Sequence, residues 1–199
     1  MIAAIREAKR ADGTPFVSLD KVVDICIYPK NNEIADMQDL VTGCKYLTTF
    51  RVTVIDEELD LAFVSNMLRH TMMTLKYLEF WIVFSSNSKE DDDPLLHNLD
   101  EVIEKLGNFE ENIVEDIKIS VSLSKGPVKW GGLDRAFENS KWPKLRHISL
   151  ITNLMILDRN RQTNRVNDLI TDLENLKATQ FPSLNERTSV SFDYIFKYD

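Results

Sequence analysis

Cysteine is almost missing from this chain: only Cys26 and Cys44 occur in 199 residues. Two thiols cannot build a disulfide framework, and no Asn-x-Ser/Thr sequon occurs either. Both absences point to a reducing, cytoplasmic setting. No apolar run approaches the ~18 residues of a membrane-spanning helix. The first residues, MIAAIREAKRADG, start apolar, but Arg6, Glu7, Lys9 and Arg10 come too early for a secretory core. They read as a short helix ending near Gly13. Basic residues are outnumbered, 24 Lys and Arg against 32 Asp and Glu, for a net charge of −8. That balance argues against nucleic-acid or anionic-membrane binding, which both need a cationic surface.

Catalytic vocabulary is equally sparse. The three histidines, His70, His97 and His147, stand far apart with no paired ligand spacing, so no metal site is expected. The one glycine-rich stretch, GPVKWGG at 126–132, lacks both the Gly-Lys-Ser/Thr ending of a phosphate loop and the spacing of a dinucleotide site. It reads as a turn before a helix near Leu133, and no cofactor is expected. Cys44 and His70 have the residue types of a nucleophile and base, but no activating motif accompanies them. The acidic run SSNSKEDDDP at 85–94 reads as a solvated loop that introduces a helix at Pro94. An enzyme is not expected.

What the chain does contain is a repeated phrase. Apolar residues spaced as L-x-x-L-x-L recur at Val22–Ile25–Ile27, Leu47–Phe50–Val52, Leu75–Leu78–Phe80, Val114–Ile117–Ile119 and Leu145–Ile148–Leu150. Most then continue with period two, the signature of a strand with one buried face. A sixth copy starts at Leu184, breaks at Arg187 and recovers at Val190, Phe192, Tyr194 and Phe196. Between copies the period becomes helical, as in Phe63, Val64, Met67 and Leu68, or Val166, Leu169, Ile170, Leu173 and Leu176. Strand and helix alternate throughout, which implies an α/β fold with a mainly parallel sheet. With 43 % hydrophobic and 28 % charged residues, 1–199 suits a single domain.

Two architectures satisfy that alternation. A doubly wound sheet has strands that are apolar on both faces. Here Asp24, Arg51, Thr53, Lys118, Ser120, Ser122, Ser149, Ser191 and Asp193 occupy the alternate positions. The reading favoured is therefore a degenerate leucine-rich-repeat-like curved solenoid: six strands, helices on one side, and the outward file open. The asparagine that usually follows the repeat is missing. The alternative is a small doubly wound enzyme or ligand-binding domain with its site at the strand carboxyl ends. That site would draw on Tyr28, Asp56, Ser85, Ser86, Ser124, Thr152 and Asn153.

The segments LDRAFENSKWPKLRHISLI (133–151) and LNERTSVSFDYIF (184–196) resemble the closing units of fungal F-box-type leucine-rich-repeat proteins. In that resemblance Trp142-Pro143 and Phe181-Pro182 end a helix. The aromatic plugs the corner, and Leu145 or Leu184 opens the next rung. Nothing in residues 1 to 30 resembles an F-box, so the resemblance implies recognition without recruitment to a ubiquitin ligase.

The expected function is a non-catalytic module that binds a protein or peptide on its strand-lined face. The candidate site is Arg51, Thr53, Glu79, Trp81, Lys118, Ser120 and Ser149. An aromatic flanked by charges and hydroxyls is typical of binding hot spots. Arg51 and Lys118 point to an acidic or aromatic partner. Oligomeric state leaves no signature in the sequence.

Overall fold

The computed structural model describes residues 11–12, 18–55, 60–83, 94–123, 130–137, 141–155 and 164–198. The strands fall where the period-two runs predict them: β1 (Asp24–Ile27), β2 (Thr49–Val54), β3 (Tyr77–Val83), β4 (Asp116–Leu123), β5 (His147–Leu154) and β6 (Ser191–Tyr198). Helices alternate with them: α1 (Ile34–Thr42), α2 (Ala62–Leu68), α3 (Pro94–Gly107) and α4 (Gly131–Ala136). Three more lie between β5 and β6: α5 (Asn164–Glu174), α6 (Leu176–Gln180) and α7 (Pro182–Glu186). No described helix is long and apolar enough to cross a membrane.

All six strands belong to one parallel sheet, and their order across it is their order along the chain. The order never reverses. Among the described residues the sheet therefore has no switch point of the kind at which doubly wound sheets open a ligand crevice. Register confirms the repeated phrase: Ile25, Phe50, Leu78, Ile117, Ile148 and Phe192 share one rung. All six are buried, and they join the apolar faces of the helices in one core. Leu47, Leu75, Val114 and Leu145, three residues ahead of that rung, are buried at the corners.

The rungs also share a main-chain device. One carbonyl at the foot of each of the first four strands accepts two N–H groups from the next unit. Val23 O receives Thr48 and Thr49, Thr48 O receives Lys76 and Tyr77, Lys76 O receives Glu115 and Asp116, and Glu115 O receives Arg146 and His147. At the last junction Arg146 O accepts the N–H of Ser191. These bonds hold the register through the main chain, independently of side-chain identity.

The proline corners need one correction. Trp142 is 1 % exposed, donates its indole N–H to Ala136 O at 3.0 Å and packs on Phe137, so it plugs its corner as expected. Phe181 is equally buried, between Trp130 and Phe192. Leu184, however, does not open the sixth rung. Pro182 ends α6 and starts α7, because proline needs no N–H in a first helical turn. Leu184 is the buried residue of that helix, and the strand starts at Ser191. Arg187, which interrupts the apolar pattern, donates to the carbonyl of Phe137 at the end of α4. The N-terminal helix expected to carry Ile2 and Ile5 lies outside the described residues. The closing strand buries Phe192 and partly covers Phe196, and Val190 is buried just ahead of it.

Candidate binding face

Side chains on the outward file of the strands line up in rows across the sheet, because parallel register is continuous from β1 to β6. The first row reads Asp24, Thr49, Tyr77, Asp116, His147, Ser191. The second reads Cys26, Arg51, Glu79, Lys118, Ser149, Asp193. The third, from β2 onward, reads Thr53, Trp81, Ser120, Ile151, Ile195. All seven predicted site residues thus fall on two adjacent rows. Thr53 and Ser120 flank Trp81, as the sequence implied.

Trp81 is 48 % exposed, so it is no core residue. Its neighbours are tighter than expected: Thr53 is 6 % exposed and Ser120 is 9 %. Both pair with Trp81 in register and present little surface of their own. Beyond them the third row turns apolar, with Ile195 43 % exposed and Ile151 half-buried.

The charges differ from the expectation of a cationic strip. Arg51 donates to Asp24 at 2.6 Å, and that hydrogen bond and charge raise the guanidinium's proton affinity further. Lys118 meets Glu79 at 2.7 Å, and Glu79 also accepts the Tyr77 hydroxyl at 3.1 Å. Burial and the Glu79 charge together push the Tyr77 phenol up to about 12. Both expected cations are therefore engaged by acids of the same sheet. The reason is register: rows that bring cations beside Trp81 bring carboxylates one strand away.

Sequence reasoning missed the right-hand end of these rows. His147 stands between two carboxylates, with Nδ1 3.4 Å from Asp116 and Nε2 3.0 Å from Asp193. Strand alternation would have placed all three on the outward file. Their convergence needed the exact offset between β4, β5 and β6.

The other chemical candidates separate. Cys44 is buried, gives its thiol to Leu40 O at 3.3 Å, and burial raises its pKa, which is the wrong direction for a nucleophile. His70 is exposed in a turn. Of the alternative strand-end set, Tyr28 is exposed, while Thr152 is buried and hydrogen-bonded to the Tyr194 hydroxyl at 2.7 Å. Asp56, Ser85, Ser86 and Ser124 lie outside the described residues. Among the described residues no group of three acidic, histidine or cysteine side chains could hold a metal. No known protein family, curated protein or solved structure matches this chain.

Proposed function

We propose that this chain is a non-catalytic recognition module of the cytoplasm, a leucine-rich-repeat-like solenoid that takes a protein or peptide across the outward face of its strands. The reading keeps the resemblance to fungal F-box-type repeat proteins as its architectural analogue. Chain-order stacking of parallel strands and a helix file in which α1, α2, α3 and α4 touch in succession support it. The observation that carries it is Trp81, a large aromatic held half exposed at the centre of a sheet face with small hydroxyl neighbours. Truncating such an anchor removes roughly 2 kcal/mol or more of binding.

The test is crosslinking and affinity purification from a fungal lysate, run in parallel with wild-type chain and Trp81→Ala. A partner recovered by the wild type and lost with the folded variant supports the reading. Identical recovery by both removes the face from consideration.

A further inference from the structure

The outward face is not chemically uniform, and its asymmetry says what it would hold. Toward β2 and β3 each cation is matched: Arg51 with Asp24, Lys118 with Glu79. Toward β5 and β6, among the described residues, Asp116 and Asp193 are met by a histidine in place of an Arg or Lys. The side chains of Asp116 and Asp193 are 45 % and 63 % exposed, and both face His147. A neutral imidazole has a single N–H and can donate to only one of them. A protonated one would donate to both, but would offset one negative charge of two. In either protonation state these three side chains together stay net negative. One residue pair further along, the same face becomes apolar at Ile151 and Ile195, and Trp81 stands in the same row.

We infer that the occupant of this face is a basic–apolar peptide segment. Its Arg or Lys side chain docks on the exposed carboxylates of Asp116 and Asp193 that flank His147, and its apolar side chains lie on the Trp81–Ile151–Ile195 row. This deepens the proposed function and rests on it. The spacing is suitable: strands stand ~4.8 Å apart, so β3 to β6 spans ~14 Å, and Asp193 to Ile195 is ~6.7 Å along the strand. An extended segment covers the longer distance in about four residues. The net charge of −8 draws such a segment toward the molecule from solution. Cation and apolar group would thus be read at neighbouring points, with the aromatic anchor setting the far end.

A displayed library of random dodecapeptides selected on the full chain tests this. The most enriched peptide is then synthesised, with a second version carrying Glu in place of its basic residue. Binding of both is measured by fluorescence anisotropy to wild type, Asp193→Asn, Asp116→Asn, Asp193→Lys and Trp81→Ala. The expected peptide carries Arg or Lys beside an aromatic or aliphatic residue. Each carboxylate-to-amide change should weaken it roughly tenfold or more, as for other charge pairs at interfaces. Asp193→Lys should reverse the preference toward the Glu version. Peptides that depend on Trp81 but bind the three aspartate variants unchanged overturn the basic-partner inference and leave the face reading standing. Peptides indifferent to all four variants, or a library that enriches nothing, overturn both.

Discussion

Trp142 and Trp81 occupy opposite situations, and single substitutions should separate them. Trp142 is buried, hydrogen-bonded and packed on Phe137, so Trp142→Ala should cost ~3–5 kcal/mol of stability. Trp81 is half exposed, so Trp81→Ala should cost about 1 kcal/mol or less. Urea unfolding of both variants checks the contrast, and a large drop in midpoint for Trp81→Ala would put its side chain in the core. Gly107 explains why Trp142 fits at all. A Cβ there would stand 2.6 Å from the indole Nε1, so Gly107→Ala should lose ~1–3 kcal/mol by overpacking. At this scale the sequence was readable where a residue's neighbours are local. Trp81 could be placed outward from alternation alone, but the Arg51–Asp24 pair joins residues 27 apart and depends on rung alignment. The charge character of the face was misread for that reason.

Elements show the same division. Strands announce themselves because alternate burial is written into adjacent residues, and all six were legible. Helix α7 was not, since Pro182-Ser183-Leu184 reads equally as a corner or a helical turn. What decides is remote. The carboxylate of Asp134 on α4, buried at 6 % exposure, accepts the N–H groups of Ser183 at 3.2 Å and Leu184 at 3.0 Å. It caps a helix whose own N-cap residue, Phe181, offers no side-chain acceptor. Asp134→Ala would leave the buried Leu184 N–H unpaired and should cost ~1–3 kcal/mol. Asp134→Asn, which retains one acceptor oxygen, should cost less, and chemical denaturation of the pair tests that order.

Strand β3 carries the clearest pH signature. Burial first, then the charge and hydrogen bond of Glu79, raise the Tyr77 phenol from 10.0 to about 12. Below the lower value both folded and unfolded chains hold the proton, and the full contribution to stability is present. Between the two values the unfolded chain releases its proton while the folded chain keeps it, so this contribution is lost as pH rises. Tyr77→Phe should flatten that part of the alkaline limb. The check is the urea midpoint of both proteins followed from about pH 9 to 12. Equal slopes would show that Tyr77 titrates alike in both states.

Across the whole molecule, each strand pairs only with its neighbours in sequence, and β1 forms an edge with four residues against the eight of β4. In the solenoid proposed above, stability is nearest-neighbour in character. Amide hydrogen exchange should therefore be slowest in β3, β4 and β5 and fastest in β1, where opening breaks one interface instead of two. Uniform protection from β1 to β6 would instead indicate a single all-or-none unit.

The doubly accepting carbonyls at the strand feet bear on mutational tolerance as well as on register. Val23, Thr48, Lys76 and Glu115 perform one task with four unrelated side chains, since only the peptide oxygen takes part. A junction made this way accepts any side chain at the acceptor and excludes only proline at the donating positions, Thr48, Thr49, Lys76, Tyr77, Glu115, Asp116, Arg146 and His147. The same seal therefore serves unequal steps, 25 residues from Ile25 to Phe50 and 39 from Leu78 to Ile117.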